Sequence, residues 1–392
     1  MSCEMSNYHK PFNMNAPEKI IFGNGTAGQV GELVKGMGGK SILVVADPVV
    51  AKIEAGQSVI ETLKAAGLKV SLFDQVEMEP CFESVASGVN LGRSCGADVV
   101  VGVGGGSALD SAKGISAMIN NDGNLKDYVG IGLIPRPALP LVLLPTTAGT
   151  GSEVTNIAIF TNKESGVKSG VVSDYIRARV AVVDPGLTVG LPAKPTAYSG
   201  MDALCHAVEA YTSVNANPLS DMYALEAIRL VTENLRTAVF QGVNVEARTG
   251  MAAASLYAGI AFGNAGVTAV HALAYPLGAR YHVPHGLANA ILLPAVMRHN
   301  LPGNLERFAV VADVISAGAA AEMVRDKALL GVEEVAALSA DVGIPSRLRD
   351  LSVKEEDLAA MADEASHISR LLANNPRPMD SEAIRVVYEA CY

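Results

Sequence analysis

Cysteine is scarce and scattered. Five occur in 392 residues, at Cys3, Cys81, Cys95, Cys205 and Cys391. Their number is odd and no two stand as C-x-x-C, which excludes a disulfide-built scaffold and points to a reducing cytoplasm. No dense run of lysine and arginine interrupts a formal charge of −10. A surface of that sign repels phosphate backbones and anionic lipid, so nucleic acid and membranes are excluded as bulk partners. Residues 1–17 carry no basic-then-apolar pattern, and no secretory signal is expected there. One long stretch lacks charge altogether: residues 250–279 hold no Asp, Glu, Lys or Arg. Its length suffices for a bilayer. Asn264, His271, Tyr275, Pro276 and several glycines interrupt it, however, and a buried helix followed by an irregular loop in a helical domain accounts for it better. What is plentiful is apolar side chain, 49% against 18% charged. That excludes disorder and provides for two cores at roughly 100–200 residues per domain.

The first half alternates short β-branched runs with Ala-rich amphipathic stretches. Strands are predicted over 19–22, 41–46, 69–73, 98–103, 140–144 and 180–183, and helices over 49–66, 82–95 and 107–120. Such repetition implies a parallel sheet with helices on both faces. Beyond Pro192 and Pro195, helical periodicity takes over, at 196–211, 218–237, 247–262, 286–300 and 332–340. The expected organisation is an α/β domain over 1–188 and an all-helical domain over 189–392.

The run Val99–Gly104 leads an apolar strand into Gly105, Gly106 and Ser107. Glycine removes the side chains that would hold a diphosphate away from the backbone, and the helix N-terminus behind it presents N–H groups to the anion. Ser107 can add a hydroxyl, and Asp110 follows one turn later. A tight turn in an α/β sheet would use the same glycines. A second loop, PTTAGTGSEVT at 145–155, leaves another strand with Thr146, Thr147 and Thr150, which can line a phosphate, ribose or amide without crowding it. Both loops lie at strand C-termini, where open α/β sheets bind ligands. Asp47 ends an earlier strand. It either accepts from a ribose diol, which favours NAD over NADP, or serves as a turn residue before Pro48.

Seven histidines are present: His9, His206, His271, His282, His285, His299 and His367. Asp202 and His206 are four apart on a predicted helix and share a face. Their neighbours are apolar, and a buried Asp–His pair without a partner is costly. His271 and His285 flank a segment expected to be a loop. One carboxylate and three imidazoles suit Fe²⁺, Zn²⁺ or Mn²⁺ and not Ca²⁺. Cys205 competes with His206 for the facing position, and His282 competes with His285. His9, His299 and His367 are read as surface or satisfied core residues.

Taken together, GGGSALDSAKG at 104–114, PTTAGTGSEVT at 145–155, SGMDALCHAVEAY at 199–211, VHALAYPLGARYHVPHGLANAILLP at 270–294 and NPRPM at 375–379 resemble the iron-containing (group III) alcohol dehydrogenases. The resemblance implies the dehydroquinate synthase-like fold, which makes the first domain a dinucleotide-binding and the second a metal-binding domain, with the active site in the cleft between the two. It assigns the metal to Asp202, His206, His271 and His285. It places the NAD diphosphate on Gly104, Gly105, Gly106 and Ser107 with Asp110 close by, and lines the cofactor with Thr146, Thr147 and Thr150. Asp47 matches the position associated with NAD preference, and Phe262 matches a residue of the substrate pocket. Many members carry a histidine where this chain has Tyr275, so proton relay there passes to the tyrosine hydroxyl or to water. The implied reaction is reversible oxidation of a small primary alcohol or diol to its aldehyde by NAD⁺, in a homodimer. Other chemistries on this fold are a lyase like dehydroquinate synthase and a reductase of acidic substrates, of the hydroxy-acid or maleylacetate type. The TTAGTGSEVT loop and the fourth ligand argue against the lyase, and the complete ligand set argues against the metal-independent maleylacetate type; a hydroxy-acid substrate stays open.

Overall fold

The computed structural model describes residues 11–163, 168–316 and 323–392; Cys3 and His9 lie outside them. The chain divides into two compact units. One is Ala16–Leu191, and the other is Pro192–Tyr392 together with the segment that ends at Asn15.

In the first unit, β1 (Lys19–Phe22), β2 (Ser41–Ala46), β3 (Lys69–Phe73), β4 (Val99–Gly104), β6 (Leu141–Pro145) and β9 (Val180–Val183) form one sheet in the order β1-β9-β6-β4-β2-β3. Every pairing in it is parallel. Strand alternation sorts the core into two layers. Leu43, Val45, Val100, Leu141 and Leu143 pack on one face with α3 (Phe82–Cys95) and α4 (Gly106–Asn120). Ile42, Val44, Val101, Val103, Val142 and Leu144 pack on the other with α1 (Val30–Gly36) and α2 (Glu54–Ala65). The helix expected over 49–66 is split. A 3₁₀ turn, Val50–Lys52, precedes α2, and Ile53 between them is extended, with ψ 164°. Sequence reading also passed over a small second sheet, in which β5 (Gly130–Ile131) pairs parallel with β8 (Lys168–Val172) and β8 pairs antiparallel with β7 (Ile157–Thr161).

Register carries the functional consequence. Ala46 stands opposite Val103, and Gly104 opposite Pro145. The segments that follow β2, β4 and β6 therefore leave the same edge side by side. The chain steps from β2 outward to β3 and then returns to β4 on the other flank of β2, so β2 and β4 bracket the point where strand order reverses.

The second unit is helical among its described residues. Its core is α5 (Ala193–Thr212), buried on every side over most of its length. Packed on it are α6 (Pro218–Phe240), α7 (Val245–Ala265) and α9 (His285–Asn300). Asn217 starts α6 with a reciprocal cap through Ser220, and Asn244 caps α7. The segment expected as an irregular loop is instead α8 (Ala269–Tyr281), which keeps Pro276 inside the helix. Burial of His271, Ala272, Leu273, Ala274 and Leu277 overrides the proline's helix-breaking tendency. Then α10 (Leu305–Ile315), α11 (Val324–Asp341), α12 (Leu358–Ser366), α13 (Ser369–Leu372) and α14 (Ser381–Ala390) complete the unit. Among the described residues no single helix is long and apolar enough to cross a membrane; the uncharged stretch is the α7–α8 pair, bent by 104°.

Candidate active site

The glycine turn of the first unit opens α4 with no side-chain cap and no acidic residue in its first turn. This helix shares the missing cap with α5, α8 and α9 among others, whereas α3, α6, α7 and α14 begin with a side chain accepting from the first turn. An uncapped start leaves N–H groups for an external anion. Gly104 adopts φ +150°, and a Cβ there would lie 2.6 Å from that of Ala108. At Gly106 an added Cβ would come within 2.7 Å of Thr150 Cγ2, and at Gly105 within 3.5 Å of Thr147 Cγ2. The glycines thus serve two purposes: they bare the backbone and let the threonine loop settle against it. Thr146 is buried, and its N–H donates to Gly104 O at 3.0 Å.

Asp47 serves as a turn residue and leaves one oxygen on the glycine edge. Its Oδ1 accepts from the N–H groups of Val49 and Val50, each at 2.9 Å, as a turn residue does. Its Oδ2 is turned to the glycine edge, 3.3 Å from where a Gly104 Cβ would stand. Ser107 directs its hydroxyl to Met78 O. Asp110 points inward: Oδ1 accepts from Ser152 Oγ at 2.6 Å and Oδ2 from Ile159 N at 2.9 Å, tying α4 to β7.

Lys113 and Glu153, both missed in the sequence, complete this tie. Lys113 Nζ is fully buried and donates to Ser152 Oγ (2.8 Å), Thr155 Oγ1 (3.1 Å) and Ile157 O (2.7 Å). Burial lowers its pKa to about 8, against the pull of Asp110 and Glu153. Burial likewise raises Glu153 to about 7.

In the second unit, Asp202 and His206 face the same way from α5, His271 comes from α8 and His285 from the first residue of α9. His271 Nε2 lies 3.0 Å from His206 Nε2 and 3.9 Å from Asp202 Oδ1; His285 Nε2 lies 3.9 Å from the same oxygen. The four predicted groups therefore converge. Asp202, His206 and His271 are buried, whereas the side chain of His285 is 35% exposed, so the cluster is most accessible there. Close approach of α9 to α5 depends on Gly286, where a Cβ would stand 2.3 Å from Tyr198 O.

The rival residues take separate positions, and Cys205 groups with Glu209 and His271 on the far side of that imidazole. Cys205 Sγ lies 4.0 Å from His271 Nδ1, the ring nitrogen remote from the Nε2 cluster. His282 is exposed and terminates α8 in the left-handed region, φ 53°. His299 is half-buried, and His367 is exposed with Nδ1 2.7 Å from Asp363 O. Phe262 stacks on His206 with ring centroids 4.2 Å apart, and Tyr275, half-buried, stands one turn beyond His271 on α8.

Glu209 was not anticipated. It falls three residues after His206, so Asp202, His206 and Glu209 form an i, i+4, i+7 stripe that only burial distinguishes from a polar surface. Its Oε1 accepts from Thr268 Oγ1 (2.8 Å) and Val270 N (2.7 Å), and its Oε2 bonds His271 Nδ1. With Nδ1 so engaged, His271 directs Nε2 into the cluster. Burial opposes ionisation of both carboxyls. The three imidazoles and Asn289 outweigh it at Asp202, and His271, Thr268 and Val270 outweigh it at Glu209, so both lie below the usual carboxylate range. Burial pushes His271 down, but Glu209 and Asp202 together carry it above the usual imidazole range. Two buried carboxylates facing three imidazoles make a donor set that a divalent transition-metal cation would balance in both charge and ligand type.

An α/β unit that opens a bare helix start onto a glycine edge, and a helical unit that gathers carboxylate and imidazole, are the two parts of a metal-dependent oxidoreductase. The family follows from comparison with known proteins: the chain belongs to the iron-containing alcohol dehydrogenases. The family description "Iron-containing alcohol dehydrogenase" matches residues 17–185, and "Fe-containing alcohol dehydrogenase family, C-terminal" matches residues 196–392. The chain is 42% identical over 386 residues to the 1,3-propanediol dehydrogenase of Citrobacter freundii, covering 98% of this chain and 100% of the relative. It is 42% identical over 373 residues to long-chain-alcohol dehydrogenase 1 of Geobacillus thermodenitrificans, covering 94% of each. The crystal structure of a 1,3-propanediol oxidoreductase superposes with a TM-score of 0.96 at 42% identity, covering 98% of this chain and 100% of that one.

Proposed function

We propose that the chain interconverts a small primary alcohol or α,ω-diol and its aldehyde with NAD(H), using a metal held by Asp202, His206, His271 and His285. The observation that carries this reading is the convergence of those four side chains from three helices, with His271 fixed by Glu209. A cation bound there supplies Lewis acidity to the reacting oxygen, and NAD supplies the hydride acceptor. The protein's own part is positioning. Gly105, Gly106 and the uncapped start of α4 receive the diphosphate, Asp47 Oδ2 takes the ribose diol and disfavours a 2′-phosphate, and Thr146, Thr147 and Thr150 line the cofactor. Phe262 covers one face of His206 and keeps water from it. Tyr275 supplies a hydroxyl for proton transfer. The relatives named for propanediol and for long-chain alcohols support a primary alcohol as the substrate class. Iron is the metal the family points to, and Zn²⁺ or Mn²⁺ suits the same donors.

The test is a panel of alkanals and hydroxyalkanals assayed with NADH and NADPH, on protein reconstituted separately with Fe²⁺ and Zn²⁺. Turnover with NADH should vanish on chelation and return with metal, and His271→Ala should lose both metal and turnover while its far-ultraviolet circular dichroism stays unchanged. Undiminished turnover in verified metal-free protein would refute the reading.

A further inference from the structure

Asn289 lies on α9 one turn beyond His285 and is fully buried. Its amide nitrogen is 2.7 Å from Asp202 Oδ1, 3.2 Å from His271 Nε2 and 3.1 Å from His285 Nε2. The amide thus donates to Asp202 and lies against two imidazole nitrogens of the donor cluster. The orientation of the amide is physically required, because the opposite one would press a carbonyl oxygen against the Asp202 carboxylate at 2.7 Å. Its Oδ1 is buried and has no hydrogen-bond partner among the described residues. A core amide kept for packing alone would be expected to have that oxygen paired, since leaving a buried carbonyl unpaired is costly.

We propose that Asn289 is a positioning residue of the metal site whose amide turns when a cation binds. The inference rests on the metal reading above. In one orientation the N–H group holds Asp202 and spans the donors. A dication among the same donors repels the positive end of the amide and competes for the same lone pairs. Rotation about Cβ–Cγ, a broad two-fold torsion, then presents the unpartnered Oδ1. An added oxygen donor favours ions that accept five or six ligands, such as Fe²⁺ and Mn²⁺, over tetrahedral Zn²⁺.

The test compares wild type, Asn289→Asp and Asn289→Ala as full chains. For each, Tm is measured with saturating Mn²⁺ and with chelator, and Kd for Mn²⁺ and Zn²⁺ is found by chelator competition. Asn289→Asp sets a second carboxylate against Asp202. Its chelated Tm should fall, its Mn²⁺-dependent rise in Tm should widen, and its Mn²⁺ Kd should tighten at least ~10-fold. Asn289→Ala should weaken Mn²⁺ at least ~10-fold and Zn²⁺ less. If both variants shift the loaded and chelated Tm equally and leave both Kd values within about 3-fold of wild type, the proposal is overturned while the metal reading stands. A wild-type chain whose Tm ignores metal overturns both.

Discussion

Glu209 uses both carboxylate oxygens, one on the start of α8 and one on His271, so it sets the position of the helix and the orientation of the imidazole together. Glu209→Gln preserves shape but removes the charge, and the amide can present either an oxygen or an N–H to Nδ1. We expect metal affinity to fall ~10–100-fold, as for other partners of metal-bound histidine, with the melting transition still cooperative. Unchanged affinity in chelator competition would remove Glu209 from the site. Glu153 contributes one pH dependence of stability. Its folded value of about 7 stands above its ordinary 4.5 because burial disfavours the anion. The folded chain therefore holds a proton that the unfolded chain releases, so this contribution to stability is complete below the ordinary value and lost as pH rises through about 7. Glu153→Gln should abolish that loss, on the order of 1–3 kcal/mol. A denaturant titration series from pH 4.5 to 7.5 checks it, and parallel profiles for variant and wild type would sink the assignment. Lys113, lowered to about 8, acts in a separate window. Burial penalises its charge, and that cost is relieved only as pH climbs from about 8 toward its ordinary value of 10.5.

At the scale of elements, the metal cluster depends on how closely α9 approaches α5. The contact at Gly286 is with backbone, Tyr198 O, and not with the end of a flexible side chain. Gly286→Ala must push α9 away, carrying the adjacent His285 from Asp202. The expected result is a loss of about 1–3 kcal/mol in denaturant titration and a substoichiometric metal content after reconstitution. Full metal content would show that α9 tolerates the displacement. Elements also explain what could be read in advance. The six strands of the main sheet were visible because each is a short, largely apolar run, most of them β-branched, and α3 and α6 because helical periodicity marks them. α8 was hidden by Pro276 and Gly278, which mark turns unless burial overrides them. β7 and β8 were hidden because β8, with Gly170 at its centre, is half-exposed and its pairing with β7 is a tertiary fact. Asp202, His206, His271 and His285 stood out as metal-ligand types in an apolar setting. Glu209, Asn289 and Lys113 did not, because their roles lie in what they touch: a carboxylate three residues after a histidine, or an asparagine inside an apolar helix, becomes informative only when its partners are known.

For the whole molecule, the proposed chemistry divides along the chain. The glycine edge proposed for the cofactor belongs to Ala16–Leu191 and the carboxylate–imidazole cluster proposed for the metal to Pro192–Tyr392, and each unit has its own core. A ligand stabilises the elements it binds by an amount set by its concentration relative to Kd, about 2.7 kcal/mol at a hundredfold excess over Kd. Hydrogen exchange followed along the sequence reads this locally, because the segments that open to exchange are smaller than the whole protein. Metal added alone should slow exchange in α5, α8 and the first turns of α9, where Asp202, His206, His271 and His285 reside, and leave the β4–α4 turn and residues 146–152 at their metal-free rates. NAD added alone should do the reverse, protecting the start of α4 and the threonine loop that packs on Gly105 and Gly106. The Lys113 and Asp110 ties carry that protection onward to β7, and the Ser107 hydroxyl carries it to Met78. Protection by metal confined to the α/β unit would place the cation elsewhere. Protection by NAD that skips the β4–α4 turn would remove the diphosphate from the glycine edge, and with it the division of labour between the two units.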